Sequence, residues 1–189
     1  MTVCPPGFSV ICGLPFLLIL STLAVWLTEV GVSKTQIGLL AWVTIPYSFK
    51  FVWAPLVDYV KIPVLVHLFG KRRGWLLFSQ LMLIVSLIML GTSDPATNIF
   101  MTSICALLVG FFSATQDIVI EAYRIELVPK RMLGHAASAS VLGYRLGMLV
   151  AGAGALYIAA FFQSWAVAYV LMAVCLGVGI ITTLVSSEP

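Results

Sequence analysis

The sequence predicts an all-α membrane protein built as a six-transmembrane-helix bundle, and three observations carry that prediction. Hydrophobic residues make up 61% of the 189 and charged residues only 9%, with a mean hydropathy of +1.12. A soluble domain uses about 25% charged residues to cover its surface, so that class is excluded. The apolar residues fall in runs of about 20, the length that crosses a bilayer core. Lysine and arginine concentrate in alternate connections, the asymmetry that orients membrane helices. The net charge of +3 is no nucleic-acid signature, because its placement matters more than its sum.

The six spans fall at 8–29, 36–57, 74–91, 99–127, 136–162 and 165–186, a single membrane domain over 1–189. The first follows M-T-V-C-P-P-G, which has no basic lead and no clean cleavage site, so a retained span is expected rather than a signal peptide. It contains Pro15, and the second contains Pro46 and Pro55; each proline removes a backbone donor, which membrane helices tolerate where neighbours satisfy the freed carbonyl. The second span also carries Lys50. The third is a plain apolar run. The fourth holds S-A-T-Q-D-I-V-I-E-A-Y-R, Ser113 to Arg124, in which Asp117, Glu121 and Arg124 share one helical face with Ser113. In the fifth, Ala136, Ser140, Gly143, Gly147, Ala151 and Gly154 form a small-residue stripe of the kind that lets membrane helices approach closely. Arg145 points away from that stripe. The sixth is apolar throughout.

Lys61, Lys71, Arg72 and Arg73 lie in the second connection and Lys130 and Arg131 in the fourth. The first has only Lys34, and the third and fifth have no Lys or Arg. Even-numbered connections and both termini are therefore expected in the cytoplasm. Cys4, Cys12, Cys105 and Cys175 are scattered without metal-ligand spacing and read as apolar packing residues. His67 and His135 read as surface residues. No metal set and no nucleophile–base arrangement is present in the sequence, so neither a metal site nor an enzyme is expected.

Ionisable residues within a membrane cost about 2.5–3.5 kcal/mol each on insertion scales and are functional candidates by default. At a rise of 1.5 Å per residue, Lys50 and Glu121 lie about 12 Å deep, Arg145 about 15 Å and Asp117 about 18 Å. Two cations and two anions at similar depth suit a shared, partly wet interior. Three readings stay open: a substrate or proton site, a structural ion pair with Arg145 or Lys50, and snorkelling of Lys50 and Arg124 to the headgroups.

A-P-L-V-D-Y (Ala54 to Tyr59) followed by G-K-R-R-G-W (Gly70 to Trp75) resembles the loop signature of the major facilitator superfamily, with longer spacing. The resemblance implies a cytoplasmic gate of Asp58, Lys71, Arg72 and Arg73. Y-S-F-K-F-V-W-A-P-L-V-D (Tyr47 to Asp58), the stretch from Ser113 to Arg124, and S-V-L-G-Y-R-L-G-M-L-V-A-G (Ser140 to Gly152) are, with G-L-P at Gly13 to Pro15, similar to the AmpG-type muropeptide permeases. The chain then corresponds to the N-terminal half of such a transporter. What the resemblance implies is proton-driven import of anhydro-muropeptides, products of cell-wall breakdown, across the bacterial inner membrane. Asp117 and Glu121 would couple to protons, although position 121 is more often aspartate in that family. Lys50 and Arg145 would grip peptide carboxylates, and Gln116, Tyr144 and Ser113 would meet sugar hydroxyls and amides. The driving force is the proton gradient, with no cofactor. Partners would be membrane lipid, the muropeptide, and a second six-span half or a second copy, since rocking needs two bodies. A half of a split gene, a homodimer and a decaying remnant are the alternatives, a fragment being favoured over a homodimer. Rival functions are a facilitator for another anionic metabolite, such as an acyl-CoA or peptide, and a non-transporting subunit.

Overall fold

A computed structural model describes residues 7–60 and 67–186. Six helices in it are long and apolar enough to span a membrane: α1 (Val10–Glu29), α2 (Lys34–Tyr59), α3 (Lys71–Thr92), α4 (Ile99–Leu127), α5 (Lys130–Phe162) and α6 (Trp165–Val185). The described residues contain no strand. Cys4 and Lys61 lie outside the described residues.

Local chemistry sets the helix ends. The Ser33 hydroxyl accepts from the Gln36 N–H at 3.3 Å and Gln36 reaches back to the Ser33 N–H, a capping box that starts α2. Asn98 caps α4 by accepting from the Met101 N–H at 3.1 Å. Gly70, with φ 87°, turns the chain into α3 through a conformation that a side chain would strain.

Two starts differ from expectation. α3 begins at Lys71 and α5 at Lys130, earlier than the apolar runs suggest. The basic clusters therefore occupy first helical turns instead of loops. Cations there oppose the helix macrodipole, so α3 must be compensated by acids, which are described below.

α1 is the hub of the bundle. It packs along α5, against α4 and against α6, while α3 is held between α4 and α6 and α2 lies on α4. The main core joins Leu18, Leu23 and Leu27 of α1 to Leu83, Leu87 and Leu90 of α3 and Met172 and Leu176 of α6. Trp26 stacks on Trp165 with ring centres 6.0 Å apart. α2 and α5 bury much less of themselves than α1, α3 and α4. Trp42, Phe51 and Val52 on α2, and Leu142, Leu149 and Tyr157 on α5, are exposed.

The small-residue stripe of α5 is used within the bundle. A Cβ on Gly147 would overlap the Val10 carbonyl oxygen, and one on Gly13 would overlap the Tyr144 carbonyl oxygen. Backbones of α1 and α5 thus touch without intervening side chains. Gly143 and Ala151 are buried on the same stretch. Ser140 and Gly154 depart from the expected stripe: Ser140 lines a cavity, and Gly154 faces Met172 of α6. For Gly154 the cause is a π turn at Val150–Gly154, which adds a residue and shifts the phase of everything beyond it. Past that turn the buried small positions are Ala155 and Ala159. A second π turn, Leu18–Thr22, interrupts α1 just after Pro15. The Thr22 hydroxyl donates to the Ala151 carbonyl across the two turns at 3.4 Å, and the Tyr169 hydroxyl donates to the Leu18 carbonyl at 3.0 Å.

Candidate functional site

Close contact of α1 and α5 near Gly13, with α4 alongside, leaves a cavity of about 530 Å³ between the three helices. α1 contributes Cys12 and Phe16, α4 contributes Asp117, Glu121 and Arg124, and α5 contributes Ser140, Tyr144 and Arg145. The acidic face read from the i, i+4, i+7 spacing on α4 does line one wall. Arg145 faces the same space from α5, on the side of that helix away from Gly147. Cys12 adjoins Asp117, a neighbour the sequence alone did not suggest because it comes from another helix.

The four charges divide unequally. Lys50 Nζ lies 3.0 Å from Glu121 Oε1, joining α2 to α4. The side chains of that pair are 33% and 53% exposed, so it is a half-wet bridge rather than a buried one. Arg145 is exposed to the cavity and holds no ion pair among the described residues. Asp117 is half-buried, and its Oδ1 is sealed without a hydrogen-bond partner among the described residues. Matched depth is thus a sound guide for Lys50 and Glu121, which meet, whereas it does not pair Arg145 with Asp117. Arg124, for which snorkelling to the headgroups is one of the open readings, also lines the cavity.

Behind Asp117 is a polar centre closed to solvent. Ser113 and Gln116 are fully buried. The Ser113 hydroxyl, both polar atoms of the Gln116 amide and the Tyr47 hydroxyl lack hydrogen-bond partners among the described residues. Ser113 faces Tyr47 of α2, whose surroundings also include Asp117, Cys12 and Tyr144. Buried polar atoms are normally satisfied, each exception costing about 1–3 kcal/mol. A set of them from α2 and α4 around one carboxylate marks a site held for something other than stability. Ser113 and Gln116 do not line the cavity as found, whereas Tyr144 does. Tyr47 went unread in the sequence, where it is one aromatic among many in a membrane span.

The basic end of the bundle carries a second charge assembly. Arg72, 9% exposed, donates from Nη1 to Asp58 at 2.7 Å and from Nε to both Glu126 oxygens at 3.1 and 3.0 Å; its Nη2 also reaches Glu126. This fork ties α2, α3 and α4 together and supplies the compensation that a cation at the start of α3 requires. Trp75 seals the corner by donating its indole N–H to the Val60 carbonyl at 2.8 Å. Arg73 turns to α6, donating to the carbonyls of Thr183 at 3.0 Å and Leu184 at 2.7 Å, the helix's negative end. Of the expected gate residues Asp58 and Arg72 pair directly, Arg73 serves α6, and Lys71 makes no ion pair among the described residues. Glu126 was missed. The signal is present in the sequence, since Glu126 lies at the same end of its span as Asp58 does.

His67 and His135 are exposed, and the described residues hold no cluster of His, Cys, Asp or Glu fit for a metal ion. The chain pattern of the Major Facilitator Superfamily matches residues 8–189. The chain is 41% identical over 183 residues to the anhydromuropeptide permease of Escherichia coli K12, which covers 97% of this chain and 36% of that protein. It is 38% identical over 155 residues to the putative transporter AmpG 1 of Rickettsia felis, covering 82% of this chain and 35% of that one. To the putative transporter AmpG 4 of the same organism it is 34% identical over 181 residues, covering 95% of this chain and 44% of the relative. It therefore spans less than half the length of these relatives.

Proposed function

The chain belongs to the Major Facilitator Superfamily, and on that footing we propose that it forms one six-helix half of a permease importing anhydro-muropeptides across the bacterial inner membrane. Its even-numbered connections face the cytoplasm and proton entry drives uptake. The reading rests above all on one observation: a cavity between α1, α4 and α5 whose lining joins Arg145, which holds no ion pair among the described residues, to the half-buried Asp117.

Each residue then has a task its place allows. Arg145 is the anchor for a peptide carboxylate, which its guanidinium can hold through two parallel bonds. Lys50 is already neutralised by Glu121 at 3.0 Å, so it takes a carboxylate only by exchanging partners. That exchange frees Glu121 as substrate arrives. Asp117 makes no ion pair among the described residues, so proton uptake there removes a charge from the interior. Tyr144 and Ser140 offer hydroxyls to a sugar in the cavity, while Ser113, Gln116 and Tyr47 wait behind Asp117 for a rearrangement that opens the centre. The Arg72 fork holds α2, α3 and α4 as one body at the cytoplasmic end, so that rocking moves the half as a unit.

The moving partner is a second six-span body, whether on a continuing polypeptide or a separate one. The thinly covered faces of α2 and α5 are the surfaces available to it. The small-residue stripe is not, because α1 already occupies it.

The test joins this chain to the remaining segment of the Escherichia coli permease and measures uptake of labelled anhydro-muropeptide in cells lacking their own. Restored uptake that collapses when the proton gradient is dissipated is expected, with Asp117→Asn abolishing it at normal membrane insertion. A chimera that inserts and takes up nothing, or whose uptake survives Asp117→Asn, would overturn the proposal. Competition by acyl-CoA but not by muropeptide would move the substrate to the rival anion.

A further inference from the structure

At the end of the bundle opposite the basic connections a second cavity, also of about 530 Å³, opens between the ends of α1 and α5 and the start of α6. Its polar lining is Glu29, Gln163 and Trp165, and no lysine, arginine or histidine lines it. The indole donor and one of the two Gln163 amide N–H groups are already spent. The Trp165 indole N–H donates to Glu29 Oε2 at 2.8 Å, and the Gln163 amide nitrogen donates to the Ala160 carbonyl at 2.6 Å. The acceptors are not spent: Glu29 Oε1 and Gln163 Oε1 have no donor among the described residues.

Two further features carry the same sign. α1 and α5 both end here, bringing two negative helix ends against the one positive end at the start of α6. Gln163 holds φ 51°, a left-handed conformation in which glycine is the unstrained choice. A glutamine stands there at a cost in backbone strain, with its amide nitrogen bonded to Ala160 and its oxygen uncommitted. The floor is aromatic, Trp165 stacked on Trp26 with the Glu29 bond fixing the indole.

We infer that this cavity binds a primary ammonium group. Such a group brings three N–H donors and one positive charge to a pocket that offers free acceptors and a carboxylate beside an indole. Its level at the helix ends is that of the lipid headgroups, where tryptophan is at home. The group can come from an aminophospholipid headgroup or from a soluble amine. The inference does not rest on the muropeptide reading, because it uses none of the residues of the α1–α4–α5 cavity.

The test uses the purified full chain in mild detergent. Native mass spectrometry measures retained phosphatidylethanolamine against phosphatidylcholine, and ethylammonium against tetramethylammonium is titrated by tryptophan fluorescence. Preference for the primary amine is expected, weakened about tenfold or more by Glu29→Gln. Gln163→Gly is expected to weaken binding while thermal stability holds or rises, since it relieves the strained φ. Selective lipid retention assigns the headgroup, and ethylammonium binding without lipid selectivity assigns a soluble amine. Equal binding of primary and quaternary amines, or binding unchanged in either variant, would overturn the inference.

Discussion

Replacing Arg72 is the perturbation whose size the structure sets most directly. Removing one partner of a fully buried ion pair costs about 3–5 kcal/mol. Arg72 itself is buried, but the carboxylates of Asp58 and Glu126 are 50% and 43% exposed, so water screens about half of what is lost. That leaves about 1.5–2.5 kcal/mol, from which relief of a cation at the start of α3 returns about 0.5 kcal/mol. Arg72→Ala should therefore destabilise the bundle by about 1–2 kcal/mol, read from unfolding in mixed micelles by circular dichroism. Arg72→Lys keeps the charge but cannot serve both acids, because a point ammonium lacks the fork. It should lose about 1 kcal/mol. A double-mutant cycle with Glu126→Gln should give a larger coupling than one with Asp58→Asn, since Nε and Nη2 both reach Glu126 and only Nη1 reaches Asp58. Couplings that are equal, or both within about 0.3 kcal/mol of zero, would refute the reasoning, as would a lysine variant of full stability.

Gly147→Ala should cost about 2 kcal/mol or more in the same unfolding assay, because its methyl meets the Val10 backbone rather than a side chain that can move. Gly177→Ala, on α6 with nothing within 4 Å, should leave stability unchanged or raise it. Tyr169→Phe should cost about 1 kcal/mol and increase hydrogen exchange around Leu18–Thr22, since the lost hydroxyl holds the Leu18 carbonyl in a fully buried place. Lys50→Ala should change unfolding by at most about 1 kcal/mol, its pair with Glu121 being half-wet. In the chimera Arg145→Ala should reduce uptake more than Lys50→Ala does, and the reverse order would reassign the anion anchor.

Legibility followed the range of each interaction. The spans needed only composition and length, and fell within a few residues of their expected ends except where Lys71 and Lys130 extend their helices into the basic clusters. The acidic wall of α4 needed only helical periodicity. The Lys50–Glu121 bridge needed depth as well, and equal depth placed both residues at one level. What stayed hidden were contacts fixed by which helices become neighbours. Cys12 and Tyr47 carry no signal in their own spans, and only packing of α1 and α2 against α4 brings them to Asp117. Glu126 lies inside the fourth span and Arg72 in the second connection, so the expected spans do not set the two at one level. Gly147 was recognised as an approach point, but not the identity of the helix approaching.

The facing π turns of α1 and α5 also bear on how this chain could change length over generations. Each is a register compensator: one residue is absorbed in a widened turn, and both ends of the helix keep their neighbours. Loss of a residue within Val150–Gly154, such as the exposed Ala153, would return the segment to an unbroken α-helix. The part before it would keep Gly147 on α1 and Arg145 in the cavity. Spans that otherwise tolerate no insertion or deletion thus contain two positions where a single codon can be gained or lost. Relatives that differ in length by one residue should show the gap at these turns, between segments whose contacts are unaltered.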